Sequence, residues 1–337
     1  MIDGARLCEL GFVPDAIARY GMRRLVRERL GEQAALGANG QSEFFESLRS
    51  GPIAIATDDA NVQHYEVPSA FFATVLGPYR KYSCGWYERP SDTLAQAETA
   101  MLALTCARAG VADGMDLLDL GCGWGSLSLW LAGQYPNARI TAVSNSASQR
   151  AFIEGEARAR GFRNLKVITA NAVTWDTEAR FDRVLSIEMF EHMHNYAALL
   201  ERVAGWLKPD GRLFTHVFCC RSYGYPFAAG DGWMERYFFT GGIMPREDQF
   251  EQFPAQVRLL QRWWVPGTHY ERTCNDWLAQ LDAEQAAVRA ICAETYGARD
   301  AAVWMQRWRM FFMACAELFG LEGGTRYGVV HSLMARP

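Results

Sequence analysis

No stretch of this chain strings together the roughly 18 uninterrupted apolar residues that a membrane-spanning helix needs, so the sequence predicts no transmembrane segment. Basic residues do not gather into runs. With 34 Lys and Arg against 38 Asp and Glu, the net charge is −4, which argues against nucleic-acid phosphates or an anionic lipid surface as partners. The nine cysteines are scattered, and only Cys219 and Cys220 are adjacent. That spacing fits neither a disulfide framework nor a zinc site, so reduced thiols, no bound metal and a cytoplasmic location are expected. The N-terminal segment lacks a long apolar run behind its basic residues and reads as a helix, not a signal peptide. Internal repeats and low-complexity segments are missing too. Oligomeric state is left open, a homodimer included.

What remains is ample core material. Half of the residues are hydrophobic, 21% are charged and 13% are aromatic, with eleven Trp, so a large ordered core is expected. Residues 1 to about 50 read as helical, with a basic face of Arg23, Arg24, Arg27 and Arg29 that reads as solvated, and a break at Gly37–Gly40. From Ala60 to Asp92 periodicity gives way to aromatics, including His64, Tyr65, Phe71, Phe72, Tyr82, Trp86 and Tyr87. A helix follows over 94–109.

Alternation of strand and helix then sets in. Strands are expected at 116–120, 139–143, 165–169, 181–187 and 212–218. Helices are expected at 126–134, at 147–160, and after the fourth strand through Leu207. Strands separated by helices imply parallel crossovers and a doubly wound α/β sheet. Past Cys220 the alternation stops in an aromatic-rich stretch that reads as an inserted lid. A sixth strand at 257–265, helices from about Cys274 to Phe319 and a closing strand at 326–334 complete the chain. The expected organisation is a helical extension and cover (1–110), a cofactor-binding core (111–220), a lid (221–256) and the remainder of the core (257–337).

The glycine turn Gly121-Cys122-Gly123-Trp124-Gly125 ends the first strand and opens a helix. Glycines there let the backbone pass close to a ligand beyond the carboxyl ends of the strands. A nicotinamide dinucleotide fits poorly. The third glycine falls one residue early, and Ser144 and Asn145 stand where an acidic residue should grip the ribose. After the fourth strand comes Glu188-Met189-Phe190-Glu191-His192. If this run turns helical at once, Glu188 and His192 share a face and converge. A carboxylate and an imidazole at that edge suit the removal of a proton from an attacking nucleophile.

The runs LDLGCGWG, VSNSASQRAFIE and FDRVLSIEMFEHMHNY, with HYEVPSAFF and KYSCGWY before them and WMERYFFTGGIMP, GTHYERTCNDW and WRMFFMACAELFG after them, resemble one methyltransferase family. It is that of plant coclaurine N-methyltransferases and bacterial cyclopropane fatty acid synthases, and the resemblance covers residues 60–337. YFFTGG and ELFG lie nearer the coclaurine side. The resemblance implies a class I S-adenosylmethionine-dependent methyltransferase: a Rossmann-like, mostly parallel sheet with an antiparallel closing strand, an N-terminal helical extension and an inserted lid. S-adenosyl-L-methionine would be the cofactor and S-adenosyl-L-homocysteine the product.

Carried over by position, the resemblance implies Tyr82 and Ser83 at the methionine end, with Gly121, Cys122 and Gly123 under the amino-acid and ribose portions. Ser144, Asn145 and Gln149 would lie on the ribose side, and Asn171 with Ala172 at the adenine. Glu188, Glu191 and His192 are the implied groups for orienting and deprotonating a small-molecule amine. In the alternative, an unsaturated acyl lipid is methylated or cyclopropanated with bicarbonate as base, held by residues at the positions of Cys84, Glu191, His216 and Tyr270. Trp86, Tyr87, Trp233, Tyr237 and Phe238 are candidate pocket walls, because ring faces attract cationic amines and equally shelter an acyl chain.

Overall fold

The computed structural model describes residues 4–55, 68–227 and 232–337. His64 and Tyr65, singled out above, lie outside the described residues. Helices α1 (Gly4–Glu9), α2 (Asp15–Ser47), α3 (Ser69–Val75) and α4 (Leu94–Ala109) precede the sheet. The expected break in α2 is present: Gly37 takes φ 59° and ψ −154° and kinks the helix. A reciprocal box starts α4, in which Thr93 accepts from the Gln96 backbone and Gln96 returns the bond. Gly110, in the left-handed region, ends it.

The sheet contains β1 (Asp116–Leu120), β2 (Arg139–Ser144), β3 (Leu165–Thr169), β4 (Phe181–Ile187), β5 (Leu207–Cys220), β8 (Arg258–Pro266) and β9 (Tyr327–Ala335), in the order β3-β2-β1-β4-β5-β9-β8. The first five run parallel, and β9 lies antiparallel to both β5 and β8. This is the expected mostly parallel sheet with an antiparallel closing strand. Helices α5 (Ser126–Gln134), α6 (Ala147–Ala159) and α7 (Tyr196–Trp206) make the crossovers. Strand order reverses at β1, whose neighbours are β2 and β4. The glycine turn follows β1 and Glu188 follows β4, so both stand at the crevice where such sheets take ligands.

Three boundaries differ from the sequence reading by more than one residue. β5 begins at Leu207, and its pairing with β4 skips from Leu207–Phe181 to Arg212–Arg183. The Pro209-Asp210-Gly211 turn is therefore absorbed as an irregularity within the strand. Helix α9 (Gly267–Ala283) starts at Gly267 rather than near Cys274. Pro266 at its N-cap fixes the start, which brings Tyr270 onto the first turn. After β4 a short 3-10 turn, Phe190–His192, replaces the expected immediate helix.

Between β5 and β8 the segment that the sequence reads as a lid contributes β6 (Tyr225–Pro226), α8 (Trp233–Tyr237) and β7 (Ile243–Met244), with β6 and β7 paired antiparallel. Helices α10 (Gln285–Tyr296) and α11 (Ala301–Phe319) pack with α9. Their shared core centres on Trp308, fully buried against Phe71 at 4.5 Å and Phe238 at 4.8 Å between ring centres.

The basic face of α2 is not simply solvated. Arg19 and Arg23 both clamp the largely buried Glu317 of α11, at 2.9 and 2.5 Å. Arg24 and Arg29 reach the mouth of the central cavity. These contacts fasten the N-terminal helices over the site. Among the described residues no helix is long and apolar enough to cross a membrane.

Candidate active site

A cavity of about 1030 Å³ opens at the carboxyl edge of the sheet, under α2, α9, α11 and the lid. Its floor is the glycine turn. The backbone N–H groups of Gly121 and Cys122 both donate to the Val143 carbonyl at 3.0 Å, which folds the turn back onto β2. Gly123 lies at φ +52°, and a Cβ placed there meets nothing within 4 Å. A side chain at that position would therefore extend into the cavity. Ser126, on the first turn of α5, also borders the cavity. Its buried hydroxyl has no hydrogen-bond partner among the described residues. An open floor beside a waiting hydroxyl fits a nucleoside-bearing cofactor.

Tyr82, Ser83, Gly121, Cys122, Gly123 and Gln149 all border this cavity, as the sequence reading expected. Ser144, Asn145, Asn171 and Ala172 do not. They sit at the carboxyl ends of β2 and β3, beside the floor and outside its wall. The Ser144 hydroxyl is committed to Gln149 Oε1 at 2.6 Å. Asn171 Oδ1 accepts from the Val173 backbone at 2.9 Å and shapes its own turn. Trp175 packs edge-on against Trp206 at 4.9 Å, away from the cavity.

Asp119 and Lys81 are among the wall residues that were missed. Asp119, two positions before Gly121, is buried and takes a 2.5 Å bond from the Ser128 hydroxyl. Burial pushes its carboxyl up to about 6, against that bond. Its place in the glycine motif was a usable signal. Lys81 is 3% exposed, and its ammonium donates to Ser83 Oγ and to the Cys84 carbonyl. Burial lowers its pKa while the nearby Glu188 charge opposes that.

Glu188 stands at the centre of the chemistry. It has φ +49°, a left-handed conformation that a non-glycine residue takes at a cost. Its backbone N–H donates to the His216 carbonyl at 2.8 Å. Three groups converge on its carboxylate: the Cys84 backbone N–H donates at 3.2 Å, the Tyr270 hydroxyl donates at 2.5 Å, and His216 Nε2 lies 3.2 Å away. Burial pushes its pKa up to about 7, while Lys81, Tyr270 and the Cys84 amide pull the other way. In the alternative reading Cys84, Glu191, His216 and Tyr270 hold bicarbonate. Cys84, His216 and Tyr270 are the three that contact the Glu188 side chain.

His192 borders the same cavity, with its ring 4.7 Å from that of Phe239. Glu188 and His192 thus share one chamber, though the kink and the 3-10 turn bring them there instead of a common helix face. Glu191 is not in the wall. It is fully buried, and its Oε1 accepts from the Phe218 backbone at 2.7 Å. Burial, reinforced by the Glu188 charge, holds its carboxyl well above the usual range.

Toward α2 and the lid the wall is mostly apolar, through Met22, Leu25, Phe218, Phe227, Trp233, Phe239, Phe311 and Phe319, with the charged Arg24, Glu28, Arg29 and Glu32 of α2 and Glu235 also bordering it. Of the five expected pocket aromatics, Trp233 alone borders it. Trp86 stacks on His269 at 4.2 Å. Tyr87 spends its hydroxyl on Asp276 at 2.8 Å. Tyr237 lies under the Arg307 guanidinium, and Phe238 is fully buried against Phe311. These four build the frame behind the wall. Phe227, Phe239 and the α11 aromatics take their place, because the lid folds its other side inward.

The sheet order, the glycine floor and the cavity beyond it define an S-adenosylmethionine-dependent methyltransferase. The chain belongs to the mycolic acid cyclopropane synthetase family, which matches residues 55–324. It is 35% identical to an (S)-coclaurine N-methyltransferase of Thalictrum flavum subsp. glaucum, over 100% of this chain and 96% of that protein. A solved coclaurine N-methyltransferase bound to N-methylheliamine and SAH superposes with a TM-score of 0.94 at 34% identity, covering 98% of both chains. A cyclopropane synthase from Mycobacterium tuberculosis gives a TM-score of 0.72 at 25% identity, over 85% of this chain and 100% of the other.

Proposed function

We propose that this enzyme methylates the nitrogen of a small, largely apolar amine. The observation that carries the reading is the Glu188 carboxylate, fixed by three groups at the edge of a chamber that also contains His192. When bound, S-adenosylmethionine supplies a methyl group already activated by its positive sulfur. The chain has four tasks. Gly121 and Gly123 keep the floor open, and Ser126 offers a hydroxyl. Ser144, Asn145, Asn171 and Ala172 extend the same edge toward the ribose and adenine. Glu188 accepts an N–H from the acceptor and aims its nitrogen lone pair. His192 takes the second proton of an acceptor bound as its ammonium form, which frees the lone pair for attack as the N–CH3 bond forms and the S–CH3 bond breaks.

The apolar, ring-rich wall supports an aromatic or cyclic amine, since aromatic faces stabilise the positive charge that grows on nitrogen. The coclaurine N-methyltransferases among the relatives support the same class. Cyclopropane synthases in the family point to the second reading, a lipid acceptor with a bicarbonate base. That reading needs the donors of Cys84, His216 and Tyr270, which Glu188 already engages. Nine free thiols support a cytoplasmic setting for the reaction.

The test supplies methyl-labelled cofactor to the purified enzyme with an amine panel and with phospholipid vesicles. Label is expected on amine nitrogen, most rapidly for cyclic aromatic amines. Label in an organic-soluble acyl chain, with none on amines, would overturn the reading.

A further inference from the structure

A row of side chains crosses the sheet behind Glu188. Strand register sets it: Ile187 pairs with His216, His216 with His331 and His331 with Trp263. Paired residues on neighbouring strands share a face, so the two imidazoles meet. His331 Nε2 lies 2.9 Å from His216 Nδ1, and both rings are fully buried. At the far end, Nη1 of Arg108 on α4 lies 2.8 Å from His331 Nδ1. The near end is the 3.2 Å contact of His216 Nε2 with Glu188 Oε1. Arg108 is half-buried with its guanidinium 5.1 Å from the Trp263 ring centre, and no carboxylate pairs with it among the described residues.

Arginine has donors and no acceptor, and a neutral imidazole has one of each. The direction of every bond in the row follows. Arg108 donates, so His331 Nδ1 accepts and its Nε2 carries the hydrogen. His331 then donates to His216 Nδ1, and the hydrogen of His216 sits on Nε2, facing Glu188. We propose that Arg108 and His331 are positioning residues that lock His216 as a donor to Glu188 and bar a proton from leaving through the sheet. Outward transfer would require each histidine to carry its hydrogen on Nδ1, and the last of these would have to donate to a guanidinium that cannot accept. The proton shed by the acceptor therefore leaves on the His192 side of the chamber. This rests on the reading above, in which Glu188 must stay an acceptor for the substrate amine.

The charges around the row agree with that direction. Glu188 faces Lys81, Tyr270 and the Cys84 segment, with Glu191 behind it. His216 faces Lys81 and Arg108, and His331 faces His216, Arg108 and Lys81. Burial first, then Lys81 and Arg108 for His216, and His216 followed by Arg108 and Lys81 for His331, lower both imidazole pKa values well below the usual range. Both rings are thus neutral at physiological pH, as the donor argument requires.

The test is nitrogen NMR of the full-length enzyme with 15N-labelled histidine, alongside pH–rate profiles. In the wild type, His216 and His331 are expected to show protonated Nε2 and bare Nδ1 at every pH where the fold persists. A hydrogen on Nδ1 of either ring overturns the proposal, and this holds whatever the enzyme methylates. In Arg108→Met the His331 tautomer is released and the acid limb of kcat/KM moves up by about one pH unit, as expected for a lost hydrogen bond to a charged acceptor. Arg108→Lys keeps a donor there and retains the wild-type limb. His331→Gln, whose amide can accept from Arg108 and donate to His216, also retains it, whereas His331→Phe shifts it. A lowered kcat in Arg108→Met with tautomers and acid limb both unmoved would mean that the arginine only braces the fold. Failure of the amine reading shows elsewhere, in the identity of the labelled product.

Discussion

Glu188→Gln is expected to lower kcat by about 10²–10⁴-fold, the range typical of a lost acid–base partner, with cofactor affinity unchanged within a few-fold. Gln fills the same volume but turns one acceptor oxygen into an NH2 donor. The Cys84 N–H and His216 Nε2 face one carboxylate oxygen and the Tyr270 hydroxyl the other, so whichever side the NH2 takes, at least one of them meets a donor, and the acceptor amine loses its partner. The pH profile adds a second signature. Burial raises the Glu188 pKa to about 7, so lowering the pH through that value protonates the carboxylate and removes the acceptor. Wild-type kcat/KM should therefore fall on the acid side of neutrality. Comparison with Glu188→Gln on one amine isolates this limb, because ionisation of the amine itself is common to both. The limb should vanish in the variant.

Gly123→Leu is expected to yield a folded protein that no longer binds S-adenosylmethionine or its demethylated product. Its Cβ meets no neighbouring atom within 4 Å, so the new side chain has space within the protein. That space is the cavity floor. Leucine at φ +52° costs about 1–2 kcal/mol, which a chain of this size can absorb. Titration calorimetry should show heat of binding for the wild type and none for the variant. Circular dichroism of the two proteins should superpose. A variant that binds the cofactor normally would move the site away from this floor.

Much of the fold was legible because its strands are short apolar runs bounded by turn residues, and β1, β3 and β4 begin and end where that pattern does. The glycine turn was equally plain, since only a strand ending in glycines and opening into a helix makes such a floor. What escaped depends on long-range packing. Glu188 and His192 were paired through an assumed helix, whereas the backbone kinks at Glu188 and reaches the same chamber by another path. Spacing could not reveal that kink, because the His216 carbonyl on a neighbouring strand helps to hold it. The pocket aromatics failed for a related reason. Trp86, Tyr87, Tyr237 and Phe238 are rich in apolar area, and the aromatic core of α9 and α11 competes with the chamber for it. Composition names the aromatics, but packing decides which face inward. The Arg108–His331–His216 row was invisible because its members come from three distant parts of the chain and meet only through strand register and the packing of α4 on the sheet.

The most direct test of the account is chemical rescue of Glu188→Gly. Glycine takes φ +49° without strain, and the substitution empties the space between the Cys84 amide, His216 and Tyr270 while leaving those donors in place. Added formate or bicarbonate should restore part of the amine methylation lost in this variant, and should leave the wild type unaffected. A wild type that needs bicarbonate, or a glycine variant as active as its parent with no added anion, would contradict the claim that the Glu188 side chain supplies the carboxylate this site is built around.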